Sequence, residues 1–184
     1  MRILPLPGSG RPRRRSIRVQ KLACVRARPA AGQQGGREID EFGSRRPRVL
    51  IADDEVELRE ALVNMLEVHG FQVVGVAATG LEAVALFDAT WPDLMLVDYR
   101  MPGQDGVAVT HYVKERSPNT QVVLFTAYDE MSLSLDATEA GVFAFLVKGC
   151  SPSLILQALS GAWDEKQRRD LEDSRVAHPP TGTG

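Results

Sequence analysis

The sequence predicts an α/β fold, a (βα)5 doubly wound parallel sheet, over residues 47–163. Short apolar runs recur along this stretch, and each is followed by a segment whose apolar residues fall at helical spacing. The runs are continuous rather than alternating, which marks strands buried on both faces. About 115 residues also suffice for one compact domain of this class.

The elements follow in order. Val49-Leu50-Ile51-Ala52 is the first run, bounded by Pro47 and the acids after it. Residues 56–68 carry Leu58, Leu62, Met65 and Leu66 at helical spacing and stop at His69-Gly70. Residues 72–78, with Val73, Val74 and Val76, read as a β-branched strand. A helix over 80–90 runs through Leu81, Val84, Ala85 and Asp88 until Trp91-Pro92 breaks it. Leu94-Met95-Leu96-Val97 is the third run, ending at Asp98. A helix over 106–116 shows Val109, Tyr112 and Val113, and Val122-Val123-Leu124-Phe125 then ends at Thr126. A weaker helix is expected over 130–140, before Gly141, and residues 143–147 form the fifth run, ending at Lys148. Ser151 as N-cap and Pro152 as first helical residue open the last helix, with Leu154, Ile155, Ala158 and Leu159 on one face.

Composition bounds the rest. With 43% hydrophobic and 25% charged residues, the chain is able to build a core. No apolar run approaches the ~18–20 residues that span a bilayer. Cys24 and Cys150 are too few for a disulfide scaffold or a cysteine-built zinc site, and His69, His111 and His178 are scattered. His69 reads as a helix-end residue, Trp91 and Trp163 as packing residues, and Cys150 as a spectator thiol at a helix start, where a thiol pKa can fall.

Charge is split. Residues 1–48 hold 13 Arg and Lys against 3 Asp and Glu, whereas the remainder is acidic, and the whole nets to −2. Residues 1–46, with the run Arg11-Pro12-Arg13-Arg14-Arg15, read as a disordered basic arm that buries too little to offset its chain entropy. Transit-peptide, export-signal and phosphate-backbone readings compete with that, although Lys21, Arg26 and Arg28 interrupt any apolar export segment. Residues 164–184 read as a charged C-terminal tail, partly helical and then disordered, too short for an output domain.

The chemistry gathers at strand ends. In an open parallel sheet, ligands bind beyond the carboxyl ends of the strands. Here those ends carry Asp53-Asp54, Asp98, Thr126 and Lys148, bringing three carboxylates, a hydroxyl and an ammonium to one edge. Close carboxylates repel unless a cation neutralises them, and hard oxygen donors on rigid strand ends favour Mg²⁺. A carboxylate beside a divalent ion is able to attack phosphorus, while Lys148 and Thr126 offset charge on the transferring group. The set reads as a phosphoryl acceptor. Each residue alone has a plainer role, as helix cap, loop residue or surface charge; their joint occurrence at four strand ends does not.

The strings Val49-Leu50-Ile51-Ala52-Asp53-Asp54-Glu55, Asp98-Tyr99-Arg100-Met101-Pro102-Gly103 and Phe143-Ala144-Phe145-Leu146-Val147-Lys148, with Thr126 between them, resemble the receiver domain of two-component response regulators. The likeness covers residues 47–163. It implies a flavodoxin-like, CheY-like fold with strand order 2-1-3-4-5. Asp98 then resembles the phosphoacceptor, Asp54 a direct Mg²⁺ ligand, Asp53 a ligand acting through water, and the backbone carbonyl of Arg100 a further ligand. Lys148 resembles the partner of the phosphoryl group. Thr126 and Phe145 resemble a switch pair, and Arg100 and Tyr128 a pair that tunes water access.

The resemblance implies a sensor histidine kinase or phosphotransfer protein as donor. Output goes to a partner protein, or to a second copy, through the face of the 130–140 helix, the fifth strand and the last helix. It implies no enzyme activity beyond turnover of the receiver's own phosphoryl group, while the lack of organelle or secretion features in residues 47–163 points to the cytoplasm and to no membrane partner. Nucleic acid is not an expected partner. A transcription regulator without its output domain is the alternative, because Lys148-Gly149-Cys150-Ser151-Pro152 is similar to receivers joined to a helix-turn-helix, as in NarL/LuxR-type regulators. Another variant of it has the basic arm contact DNA. An aspartate-nucleophile phosphatase of the haloacid dehalogenase type is disfavoured, since it needs an acid two positions after the nucleophile, where Arg100 stands.

Overall fold

The structure is a computed structural model that describes residues 45–127 and 138–177. Its strands are β1 (Arg48–Ala52), β2 (Gln72–Ala77), β3 (Leu94–Asp98), β4 (Gln121–Thr126) and β5 (Ala144–Val147). Its helices are α1 (Val56–Val68), α2 (Gly80–Thr90), α3 (Gly106–Arg116) and α4 (Pro152–Ala177). The strands form one sheet in the order β2-β1-β3-β4-β5, and every pairing is parallel. The basic arm to residue 44, with Cys24, lies outside the described residues. So do most of the helix expected over 130–140, Tyr128, and residues 178–184 with His178.

Two apolar clusters sandwich the sheet. One joins Val49, Ile51, Leu96, Val123 and Phe125 to Leu62 and Leu66 of α1 and to Ile155 and Leu159 of α4. The other joins Leu50, Met95, Val97 and Leu124 to Phe87 of α2 and to Val109 and Val113 of α3. Neighbouring residues of one strand feed opposite clusters, so both faces of β1, β3 and β4 must be apolar. Burying each large side chain contributes roughly 1.5–3 kcal/mol. The edge strands β2 and β5 are only partly covered. β2 also slips in register between Val49 and Leu50, where Leu50 pairs with Gly75.

Local chemistry sets the helix ends. Gly70, at φ 85°, closes α1, with Gly70 N–H donating to the Glu67 carbonyl and Phe71 N–H to that of Leu66. His69 Nδ1 lies 2.7 Å from the Met65 carbonyl, so it serves the helix end. The Thr79 hydroxyl accepts from Glu82 N–H, and the Glu82 carboxylate accepts from Ala78 N–H. Asp105 caps α3 by accepting from Ala108 N–H. Ser151 precedes Pro152 as expected, but its hydroxyl lies 2.9 Å from Ser153 Oγ, and its carbonyl takes the first helical bonds.

Two helix faces differ from expectation. The face of α2 is not the one running through Leu81, Ala85 and Asp88, which are exposed. Its buried residues are Gly80, Ala83 and Phe87, because the ring of Phe87 outweighs the smaller residues and turns the helix toward the sheet. The side chain of Leu154 in α4 is likewise 43% exposed, while Ile155, Leu159 and Ala162 face the core.

α4 continues through the charged stretch as one helix of 26 residues. Glu165 pairs with Arg168 and Arg169, Lys166 with Asp170, and Arg168 with Glu172. Asn119, in the turn before β4, donates to Asp170 and Asp173. Trp163 is half-buried against the first cluster beneath the Arg45 guanidinium, and Arg45 pairs with buried Asp93 at 2.6 Å. Trp91 is more exposed than a packing role predicts, at 54%, although its ring still meets Phe87 at 5.4 Å.

Candidate functional site

Four strands deliver the site to one edge. Asp53 directly follows β1, Asp98 ends β3, Thr126 ends β4 and Lys148 directly follows β5. Parallel pairing holds these ends level: Asp98 aligns with Phe125, Thr126 aligns with Val147, and Lys148 N–H donates to the Thr126 carbonyl.

Glycines allow the loops to close on this edge. A Cβ at Gly106 would lie 2.5 Å from the Asp98 carbonyl oxygen and 2.8 Å from Leu124 Cδ2. The α3 backbone therefore starts against the end of β3. A Cβ at Gly80 would overlap the Gln104 backbone, so the loop after Asp98 also rests on the start of α2.

The ammonium of Lys148 is the centre of the site. Its Nζ donates to Asp98 Oδ2 at 3.0 Å, to Asp53 Oδ1 at 3.3 Å and to Glu55 Oε1 at 2.8 Å. The side chains of Asp53 and Asp98 are 2% and 4% exposed. Asp53 Oδ1 also accepts from Glu55 N–H, and Arg59 donates to the Asp53 carbonyl. The N-terminus of α1 has no side-chain cap. Asp53 and Asp54 thus do not serve as its caps, although carboxylates suit that place.

Burial pushes the Asp98 carboxyl up to about 6; the Lys148 ammonium opposes this and the Asp53 carboxylate adds to it. For Lys148, burial disfavours the charged form, but Glu55, Asp98 and Asp53 outweigh it and raise the ammonium above its ordinary range.

Asp53, Asp54 and Asp98 each offer an oxygen, and these oxygens lie within 4.8 Å of one another. Asp53 Oδ2 is buried and accepts no hydrogen bond, although Lys148 Nζ lies 3.1 Å away. One ammonium does not balance these carboxylates together with Glu55. An all-oxygen set with an unsatisfied buried acceptor fits a hard divalent cation such as Mg²⁺.

Residues 49–160 match the family model of the response regulator receiver domain. This chain belongs to that family. Receivers are signalling domains, generally non-enzymatic, and typically bind Mg²⁺ at an acidic pocket. This receiver is 38% identical over 113 residues to the probable transcriptional regulatory protein NarL of Mycobacterium tuberculosis, covering 61% of this chain and 52% of that one. It is 31% identical over 115 residues to the chemotaxis protein CheY of Listeria monocytogenes, covering 62% and 97%. The solved signal receiver domain of NarL from M. tuberculosis superposes with a TM-score of 0.61 at 35% identity, covering 65% and 97%. The chain spans about half the length of the NarL and PdtaR relatives it matches. The strand order is the CheY-like flavodoxin order that the resemblance implies.

Of the residues singled out in the sequence, Asp53, Asp98 and Lys148 are in direct contact, and Asp54 stands at the exposed rim of the trio. Arg100 is exposed; its N–H donates to Asp98 Oδ1 at 3.3 Å. Thr126 is buried at the end of its strand. Phe145, half-buried, aligns with Leu124 and packs on the second cluster. Tyr128 lies outside the described residues. Burial pushes the Cys150 thiol up, so the helix start does not activate it. Glu55 and Arg59 escaped the sequence reading. Glu55 was in plain view beside Asp54, but an acid just before a helix reads as solvated.

Proposed function

We propose that this receiver accepts a phosphoryl group on Asp98 from a phosphohistidine of a sensor kinase or phosphotransfer protein, and signals through protein–protein contacts. The observation that carries the reading is the bridge of Lys148 Nζ between Asp98 Oδ2 and Asp53 at the carboxyl edge of the sheet.

An Asp98 carboxylate oxygen attacks phosphorus as the phosphorus–nitrogen bond to the donor imidazole breaks. The electron pair leaves on the imidazole nitrogen, and Asp98 becomes an acyl phosphate. Lys148 turns one of its N–H donors to a phosphoryl oxygen, and the Thr126 hydroxyl donates to another. Asp53, Asp54, Asp98 and the Arg100 carbonyl would hold Mg²⁺, which when bound offsets the negative charge shared by carboxylates and phosphoryl oxygens. Arg100 stands two positions past the acceptor, where it screens the acyl phosphate from water. Inward movement of Thr126 draws Phe145 after it and reshapes the surface around β5 and α4, a bistable packing change driven by local charge. The partner is an output protein or a second copy, and the setting is the cytoplasm. Catalysis is limited to the receiver's own phosphorylation and hydrolysis.

Intact mass after incubation with acetyl phosphate and Mg²⁺ tests this. One labile phosphoryl adduct is expected, absent from Asp98→Ala and from metal-free samples. No adduct under any donor overturns the reading. A second reading, favoured by the likeness to proteins described as transcriptional regulators, places the same switch in gene control. Salt-sensitive DNA binding that depends on the basic arm separates it from the first.

A further inference from the structure

We propose that Glu55 is a positioning residue that draws the Lys148 ammonium toward the solvent rim, leaving Asp53 and Asp98 less neutralised by it and so more open to the divalent cation. The inference rests on the phosphoacceptor reading of the same site.

An ammonium has three N–H donors. Lys148 directs them at Glu55 Oε1, Asp98 Oδ2 and Asp53 Oδ1, and the shortest contact is the 2.8 Å one to Glu55. The other two acceptors belong to buried carboxylates. The Glu55 side chain is 60% exposed. An exposed ion pair of this kind is weak, so Glu55 is the partner that Lys148 releases at least cost. The backbone directs the contact. Glu55 N–H is held by Asp53 Oδ1 at 2.9 Å, and its side chain leaves the α1 N-terminus uncapped to meet Lys148.

Two consequences follow. Charge that Lys148 shares with Glu55 is charge it does not spend on Asp53 and Asp98, so cation entry meets less competition. When Asp98 carries a phosphoryl group, the N–H directed at Glu55 is the donor free to turn to a phosphoryl oxygen, and the Glu55 carboxylate returns to water. Only hydrogen bonds are exchanged in that step.

The test is Mg²⁺ affinity, read from the rise in melting midpoint across a Mg²⁺ titration of the full chain. It compares wild type with Glu55→Gln and Glu55→Asp. Glu55→Gln removes the charge, and Glu55→Asp keeps it on a shorter arm. Both are expected to weaken Mg²⁺ binding by about two- to fivefold. Weakening in Glu55→Gln alone would mean that bulk charge suffices and would overturn the inference, as would wild-type affinity in both variants. This readout does not depend on phosphorylation. A wild-type protein that binds Mg²⁺ but takes no phosphoryl group defeats the function proposed above, while the two variants still decide the role of Glu55.

Discussion

Lys148 Nζ lies 3.0 Å from Asp98 Oδ2, across a sequence separation of 50 residues. The two side chains leave the ends of strands that are not neighbours, since β4 lies between β3 and β5. The long lysine arm spans the intervening strand and puts one cation among buried anions.

Removing that cation exposes the repulsion. Lys148→Ala leaves Asp53 and Asp98 buried without a counter-ion, and the metal-free protein is expected to lose about 3–5 kcal/mol of stability. Mg²⁺ recovers part of the loss. Urea unfolding with and without Mg²⁺ checks both statements, and an unchanged metal-free midpoint contradicts them.

The pH dependence has a definite sign. The Asp98 carboxyl is held up to about 6 in the folded, metal-free chain. Its contribution to stability is complete below pH ~4, the ordinary carboxylate value, and is lost as pH rises through about 6. The loss is on the order of 3 kcal/mol. Asp98→Asn removes the titration, so without metal the variant is more stable than wild type at neutral pH and gains little at pH ~4. Mg²⁺ affinity of the wild type runs the other way, increasing as Asp98 loses its proton. Unfolding curves across this range settle the sign.

Gly106→Ala tests the close approach beneath Asp98. The added methyl group meets the Asp98 carbonyl oxygen and Leu124 Cδ2, so the start of α3 has to move. Overpacking of this kind costs about 1–3 kcal/mol. The expected result is a lower unfolding midpoint together with slower phosphorylation by acetyl phosphate, because the start of α3 is hydrogen-bonded to Tyr99, next to the acceptor.

The outer half of α4 is expected to be separable from the chemistry. Deleting residues 164–184 removes the Glu165, Lys166 and Arg168 pairs and the Asn119 contacts, all remote in sequence and fold from the acidic edge. Exposed helical pairs contribute about 0.2–0.5 kcal/mol each, so a loss of about 1–2 kcal/mol is expected, with phosphorylation by acetyl phosphate unchanged. A large fall in phosphorylation would tie this segment to the switch.

Strand and helix positions were legible because a two-sided sheet demands continuous apolar runs, as in Leu94–Val97, and because Gly70, Trp91-Pro92 and Ser151-Pro152 punctuate the helices by local rules, whereas the caps Thr79 and Asp105 went unread. The packed face of α2 was not legible. Leu81 and Phe87 are both apolar, and only the approach of the helix to β1 and β3 selects Phe87.

The sequence by itself determined the sheet, its direction and the residues brought to one edge, because a strand's polar terminal residue goes wherever that strand ends. Tertiary structure alone decided how those residues share charge. Lys148 meets Glu55, and Asp53 Oδ2 stays without a hydrogen bond, because of distances across three strands and the start of α1. A linear pattern does not encode such distances. They arise from packing, which also removes the water that would otherwise have satisfied each carboxylate separately.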